Sequence, residues 1–225
     1  MAQIPLGLHL DARADFGSFH PAGNELVVAA LRNVAPPGVF LDGPTGAGKS
    51  HLLQAFAAGN DAPYAALRAM AAPGTLAGSD RSCALALDDV DAVLGDPAWE
   101  RTLFALVERV VAAGGCVVAS ASLAARHLHF DLPDLGSRLA ALPAFRLQPL
   151  DDAGKLAALR LRMTQRGLTA EDQTLRYLIE HTKRDMSSLA NTLDALDRQS
   201  WETGRRLTVP FIRAYLDAVS SGSRG

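Results

Sequence analysis

The feature that most constrains this 225-residue chain is an eight-residue segment, GPTGAGKS, at positions 43–50. The segment fits the pattern G-x-x-x-x-G-K-[ST] at every fixed position, and an apolar run, Val39–Leu41, stands just before it. Glycines at these spacings let successive peptide N–H groups point at phosphate oxygens, and a helix that begins here adds a favourable dipole. The segment therefore predicts a phosphate-binding loop between a buried strand and a helix.

Every residue of this loop, together with the residue that follows it, is a candidate for nucleotide binding: Gly43, Pro44, Thr45, Gly46, Ala47, Gly48, Lys49, Ser50 and His51. Lys49 supplies a positive charge for the β- and γ-phosphates, and Ser50 offers a hydroxyl ligand to Mg²⁺. Asp88 and Asp89 follow a second apolar run, SCALAL. We expect Asp88 to orient the Mg²⁺ through water, and Asp89 to position the attacking water.

The order of the apolar runs predicts an α/β fold. Up to about residue 150, runs such as Cys116–Ser120 are continuously apolar and alternate with helical patterns, as in a parallel sheet covered on both faces. After Pro149, four helical patterns follow one another without a strand. We predict a parallel sheet sandwiched between helices at residues 11–150, a small all-helical lid at 151–219 and a disordered tail at 220–225.

Composition excludes several classes of protein. Hydrophobic residues make up 48% of the chain and the formal net charge is −2, which argues against disorder and against a strongly basic nucleic-acid surface. The sequence shows no secretory or membrane-spanning pattern, so a cytoplasmic location without membrane contact is expected. Cys83 and Cys116 are predicted to be small buried hydrophobes, and Trp99 and Trp201 to be packing residues on helices.

Three segments resemble the AAA+ module of the bacterial DnaA family: Phe16-x-x-Phe19 with Asn24-Glu25-Leu26, then VFLDGPTGAGKSHLLQAFA, then LALDDVDAV. The similarity extends from Gln3 to Val219. Within this family the chain looks most like the Hda group, short homologues that inactivate the replication initiator DnaA. The resemblance implies a P-loop AAA+ fold with a lid, ADP or ATP with Mg²⁺ as ligands, and Phe16 as a further nucleotide-binding residue.

The first residues resemble a clamp-binding peptide. Gln3-Ile4-Pro5-Leu6-Gly7-Leu8 is similar to the Q-x-x-L-x-L peptide at the N-terminus of Hda proteins. In an extended peptide, the Gln3 amide is available for hydrogen bonding while Leu6 and Leu8 enter an apolar cleft. The resemblance implies that residues 1–10 are an extended leader that binds the β subunit, the sliding clamp, of DNA polymerase III. Contact with DNA would then be indirect, through the clamp.

The segment LPDLGSRL at positions 132–139 is similar to L-P-D-L-x-S-R-L of the Hda group. The resemblance implies that Arg138 is an arginine finger that reaches the γ-phosphate held by a partner subunit, DnaA. A guanidinium supplied in trans accelerates hydrolysis by about 10³–10⁵ in well-studied cases. The resemblance to the Hda group also implies a protein without the DNA-reading and helicase-contact regions of DnaA, and no segment of this sequence resembles either region. A homodimer or a head-to-tail oligomer is possible, as for other AAA+ modules.

Three positions depart from the family pattern. Ser122 occupies a polar position where relatives often carry Asp, and Ser187 stands where DnaA has a lid arginine that touches the nucleotide. Arg184 lies three residues earlier, on about the same helical face, and could substitute. Asp89 is one methylene shorter than the Glu of many AAA+ proteins. We therefore expect weak or no intrinsic ATPase activity and stable occupancy by ADP.

These observations favour a negative regulator of replication initiation that is bound to nucleotide, binds the DNA-loaded clamp and stimulates ATP hydrolysis by DnaA. Two alternatives stay open at this point. A DnaA-like helicase loader would need a helicase-binding extension. A P-loop small-molecule kinase would share Lys49 and Ser50 but should also present an acceptor pocket and lid arginines.

Overall fold

The computed structural model describes residues 14–76, 78–79 and 83–222, with the backbone alone for residues 220–222. The predicted clamp-binding residues Gln3, Leu6 and Leu8 lie outside the described residues. The chain divides into two compact units, Met1–Pro149 and Leu150–Gly225, here called the base and the lid.

The base is built on a parallel sheet. Its strands are β1 (Gly38–Asp42), β2 (Tyr64–Ala66), β3 (Ala84–Asp88), β4 (Cys116–Ala121) and β5 (Ala144–Arg146). All pairings are parallel and the spatial order is β2-β3-β4-β1-β5. Because parallel strands all point the same way, the loops that follow β1, β3 and β4 emerge at one edge of the sheet. Ligands of open α/β sheets bind at this edge.

Helices cover both faces of the sheet. The base helices are α1 (Glu25–Arg32), α2 (Lys49–Gly59), α3 (Pro97–Ala112) and α4 (Pro133–Ala140). Along β1, Val39 and Leu41 belong to one apolar cluster and Phe40 to another. The first cluster also contains residues of α1 and α2, and the second contains residues of α3 and α4. Since successive strand residues alternate between faces, the sheet is buried on both sides, and the predicted α/β sandwich is confirmed.

The lid is entirely helical in the described residues. It contains α5 (Asp152–Gln165), α6 (Asp172–His181), α7 (Met186–Thr203) and α8 (Val209–Gly222) around one apolar cluster. Asp151 and Asp185 cap α5 and α7 by accepting hydrogen bonds from first-turn N–H groups. The last helix was predicted to end at Val219, but it continues to Gly222, so residues 220–222 are helical rather than part of a tail.

Three burial predictions are wrong. Cys83 is exposed because β3 begins only at the next residue, and Cys116 is half-buried because it is the first residue of β4. Trp99 is buried as expected, at 6% exposure, but Trp201 is 89% exposed. None of the described helices is both long and apolar enough to cross a membrane.

Candidate nucleotide-binding site

The phosphate loop connects β1 to α2. Gly46 and Gly48 take φ angles of 79° and 102°, a region that residues with a side chain rarely occupy. At Gly48 a Cβ atom would also lie 2.7 Å from Cε2 of the Phe19 ring, too close for any larger residue. The loop leads directly into α2, whose first-turn N–H groups have no intrahelical acceptor. This arrangement suits an anion such as a nucleotide phosphate.

Lys49 places a cation inside this loop. The side chain is buried, and its Nζ donates hydrogen bonds to the carbonyl oxygens of Gly43 (2.7 Å) and Pro44 (3.2 Å). Among the described residues no carboxylate forms an ion pair with Lys49. A buried ammonium that is balanced only by neutral carbonyls favours binding of an anion beside it. The residues present therefore fit the phosphates of a nucleotide.

Asp88 is held rigidly at the end of β3. It is 3% exposed, and its two carboxylate oxygens accept hydrogen bonds from the Tyr64 hydroxyl (Oδ2, 2.7 Å) and the Ser120 hydroxyl (Oδ1). Burial and the nearby charge of Asp88 raise the pKa of Tyr64, so the phenol stays protonated as a donor. Each carboxylate oxygen keeps further lone pairs for a metal-bound water. Asp88 is thus fixed at the sheet edge from which the phosphate loop also emerges.

Asp89 contacts residues from two other segments of the base. Its φ of 56° is unusual for a residue other than glycine, and its N–H donates to the Ser120 hydroxyl (3.1 Å). Its carboxylate accepts a hydrogen bond from Nε of Arg68 (2.8 Å), which lies just after β2. That hydrogen bond raises the pKa of Arg68. The predicted water-positioning acid is therefore engaged by a cation that sequence reasoning did not identify.

We predict that Arg68→Gln raises ATP hydrolysis by the chain itself, because Asp89 would lose its ion-pair partner. A positioned carboxylate contributes about 10²–10⁴ to such reactions, and the short Asp89 should recover roughly tenfold. Steady-state phosphate release at saturating ATP measures the effect, with Arg101→Gln on α3 as the matched control. Adding Asp89→Asn to the Arg68→Gln variant should remove the increase. Equal rates for Arg68→Gln and the wild type would show that the pair does not limit hydrolysis.

The two serines at the end of β4 have different partners. Ser120 contacts Asp88 and the N–H of Asp89, whereas Ser122 donates its hydroxyl to Asp91. The N–H of Ser122 is also bound to Asp91, at 3.1 Å. The sequence interpretation assigned the polar position after β4 to Ser122, but the hydroxyl that contacts the predicted magnesium ligand is that of Ser120.

An aromatic segment lies against the phosphate loop. Besides its contact with Gly48, the Phe19 ring lies 5.6 Å from the ring of His51, centroid to centroid. His51 Nε2 lies 3.0 Å from both the carbonyl oxygen of Asp15 and the hydroxyl of Ser18. Phe16, the predicted nucleotide contact, packs with Phe19 against the apolar cluster that contains residues of α1 and α2. The Cζ atom of Arg32 lies 5.5 Å from the centroid of the Phe16 ring. Of the two phenylalanines, Phe19 touches the loop.

Arg138, the predicted finger, lies in the last turn of α4 with 55% of its side chain exposed. Its Nε and Nη2 form a two-point ion pair with Glu108 of α3, with 3.2 Å between Nη2 and Oε2. Among the described residues, Nη1 has no hydrogen-bond partner. The pair holds the planar guanidinium in one orientation and leaves part of it facing outward.

The position of α4 depends on a buried carboxylate, Glu100. This fully buried residue of α3 accepts hydrogen bonds from the N–H groups of Gly95 (2.8 Å), Asp131 (3.2 Å) and Leu132 (2.6 Å). Burial acts to raise the pKa of Glu100, but these three hydrogen bonds outweigh it, and the net shift is downward. Leu132 immediately precedes α4, so Glu100 fixes the start of the helix that carries Arg138.

We predict that Glu100→Gln lowers the free energy of unfolding by about 2 kcal/mol at neutral pH, because hydrogen bonds to a buried charge are lost. The pKa of Glu100 is lowered in the folded protein, so its carboxylate stabilises the fold at any pH above 4.5, the ordinary pKa of glutamate. This stabilisation is lost as the pH falls through the lowered pKa of the folded protein. The gap between wild type and variant in urea denaturation should therefore narrow below about pH 4.5. The exposed Glu25→Gln is the control, and a gap that is constant with pH would contradict the assignment.

In the lid, Ser187 is an exposed residue in the first turn of α7, and Arg184 is an exposed residue just before that helix. Arg184 lies 3.9 Å from Asp152, a weak surface ion pair. Replacement of a lid arginine at Ser187 by Arg184 stays a prediction.

The described residues contain no group of three or more His, Cys, Asp or Glu side chains that could hold a metal ion by themselves. Magnesium at nucleotide sites needs fewer protein ligands, because phosphate oxygens and water complete its octahedral shell. Ser50, exposed at the start of α2, and Asp88 could supply such a site.

A parallel sheet of this order, a phosphate loop after β1, an acid at the end of β3 and a separate helical unit are the features of a P-loop fold of the AAA+ type. Comparison with known proteins agrees with this description of the fold. Residues 152–216 match the family model for the lid domain of Hda. The chain is also similar to domain III of the replication initiation protein DnaA from Thermotoga maritima, with a TM-score of 0.73, 16% identity, and coverage of 93% of this chain and 98% of that one.

Two further solved structures share the fold. AMPPCP-bound DnaA from Aquifex aeolicus has a TM-score of 0.66 and 18% identity, and the match covers 86% of this chain and 67% of that one. The RuvB Holliday junction branch migration motor of Thermotoga maritima has a TM-score of 0.58 and 14% identity, with coverage of 84% and 64%. The chain therefore has the fold of DnaA domain III, and its lid matches the family model for the Hda lid domain.

Proposed function

We propose that this protein is a negative regulator of replication initiation that acts on DnaA. The observation that carries the proposal is the match of residues 152–216 to the lid domain of Hda, joined to a base with the fold of DnaA domain III. In this scheme the nucleotide-bound chain docks on the DNA-loaded sliding clamp through Gln3, Leu6 and Leu8. It then presents Arg138 to ATP-bound DnaA, so that hydrolysis takes place in the partner's site.

The nucleotide has a structural role in this scheme. ADP or ATP would bind with its phosphates on the loop around Lys49, and Mg²⁺ would be held by Ser50 and, through water, by Asp88. The ion pair between Arg68 and Asp89 supports slow turnover, because it occupies the acid that would position the attacking water. A nucleotide that is hydrolysed slowly would keep the protein in one nucleotide-bound state.

We expect the chain to bind ADP and ATP with similar affinity, since Ser187 cannot supply the charge of a lid arginine. Equilibrium titration with the two nucleotides in the presence of Mg²⁺ measures this difference directly. A strong preference for ATP would argue against an ADP-bound regulator.

Arg138 would act on the γ-phosphoryl group of DnaA-bound ATP. In the transition state of phosphoryl transfer, negative charge spreads over the oxygens of the transferred group, and a guanidinium beside it stabilises that charge. Glu108 holds Nε and Nη2 of Arg138, which leaves Nη1 to meet a phosphate oxygen. The side chain is thus oriented before the partner arrives.

Binding experiments separate this function from that of a helicase loader. We expect immobilised sliding clamp to retain the wild-type chain. The double variant Leu6→Ala, Leu8→Ala should not be retained by the clamp. Ile4→Ala is the matched control, because position 4 is not fixed in the clamp-binding pattern. Retention by the replicative helicase and not by the clamp would favour the loader instead.

A further inference from the structure

The lid carries one large apolar side chain in an unusual place. Trp201, near the end of α7, is 89% exposed, whereas Trp99 in the base is 6% exposed. A single exposed apolar residue is common on protein surfaces. What sets Trp201 apart is the number of exposed arginines that lie close to it along the chain.

Three arginines accompany Trp201. Arg198 lies three residues earlier, on the same side of α7, and Arg205 and Arg206 follow the residue that ends the helix, Gly204. All three are exposed, and within the described part of the chain none of them forms an ion pair. By contrast, Arg162 and Arg166 of the same lid are paired with Asp194.

The backbone keeps this group together. The N–H of Arg205 donates to the carbonyl oxygen of Ser200 (3.1 Å), and the Ser200 hydroxyl donates to the carbonyl oxygen of Arg205. These bonds tie Arg205 to the last turn of α7, at the residue that precedes Trp201. Of the nearby acids, Asp197 lies 3.6 Å from Arg166, which leaves Glu202 as the one local carboxylate without a described ion pair.

We propose that Trp201 with Arg198, Arg205 and Arg206 forms a binding surface for single-stranded nucleic acid, here called the Trp201 surface. An indole that is open on its face stacks with an unpaired base of any sequence, and the guanidinium groups around it attract the phosphates. Base pairs of a duplex are stacked on each other and hide these faces, so single strands are favoured over duplex. The chemistry of the surface, an aromatic platform among unpaired cations, matches this ligand.

This inference goes beyond the function proposed above, in which contact with DNA is made only through the clamp. It rests on the lid surface alone and does not require Arg138, the leader or the nucleotide. A negative result for nucleic-acid binding by the lid would therefore not contradict the proposed regulation of DnaA, and the reverse also holds.

Fluorescence anisotropy of a labelled oligo-dT, added to the full-length chain, tests the Trp201 surface. Trp201→Ala should weaken binding by about tenfold or more, because loss of the stacking of one base lowers the affinity by about 5- to 150-fold. Trp201→Phe should keep most of the affinity. Leu26→Ala is the matched control, because Leu26 is an apolar residue of the base with 80% exposure.

Two further readouts belong to the same experiment. Replacing the three arginines with glutamine should reduce the slope of log K against log salt by about 2, which is the loss of three phosphate contacts on a single strand. Oligo-dT should also quench tryptophan fluorescence in the wild type and not in Trp201→Phe, because Trp99 is buried. Equal affinity of Trp201→Ala and wild type, or equal competition by a duplex of the same length, would overturn the proposal.

Discussion

Replacing Arg138 with alanine is expected to abolish most of the stimulation of DnaA ATP hydrolysis by this protein, on the order of 10³-fold at saturating concentration. The reason is electrostatic: alanine removes the only group that the scheme brings to the γ-phosphate in trans. Binding to the clamp should be unchanged, because the exposed side chain contributes only a surface ion pair with Glu108 to the fold. The measurement is the rate of phosphate release from ATP-loaded DnaA at increasing concentrations of each variant.

Two controls make this test specific. Arg138→Lys keeps the charge but loses the planar guanidinium, so we expect only a small part of the stimulation to return. Arg101→Ala removes a comparable exposed arginine from α3 and should behave as wild type. If Arg138→Ala stimulates DnaA as well as the wild-type protein does, the finger is a different residue.

Lys49→Ala is expected to reduce nucleotide affinity by at least about 100-fold, because charge-assisted hydrogen bonds to the phosphates are lost. The loop should survive this change, since its course is set by Gly46 and Gly48 and by the packing of Phe19 against Gly48. Affinity can be measured by titration with a fluorescent ADP analogue in the presence of Mg²⁺.

Thermal unfolding provides the second half of the Lys49 test. At an ADP concentration about 100 times the wild-type Kd, bound ADP should raise the melting temperature of the wild type and of the control Arg101→Ala clearly, and that of Lys49→Ala only slightly. An ADP-dependent rise of the same size in Lys49→Ala would mean that the nucleotide binds elsewhere in the chain.

The fold was predictable because its signals are local. The apolar run Val39–Leu41, the glycine pattern of the loop and the helix that follows it are contiguous in sequence, and strands buried on both faces read as uninterrupted apolar runs. Errors arose at the edges of elements. Cys83 belongs to an apolar run but precedes the first paired residue of β3, and Trp201 belongs to a helical pattern but is 89% exposed near the end of α7.

The partners of the predicted site residues were not predictable from the sequence, because they are distant along the chain. Tyr64 and Ser120 reach Asp88 from the neighbouring strands β2 and β4, and only the strand order places them there. Arg68 and Glu108 are ordinary charged residues in sequence, and become meaningful only through their contacts with Asp89 and Arg138. Lys49, by contrast, was identified from its motif alone.

The most direct test of the proposed function is a single-turnover assay in which DnaA is preloaded with γ-labelled ATP and this chain with ADP. Phosphate release is followed with the sliding clamp loaded on DNA, and again with the chain or the clamp left out. We predict fast hydrolysis only when both are present. A rate that stays at that of DnaA alone, although the chain is bound to the clamp, would contradict its role as a regulator of DnaA.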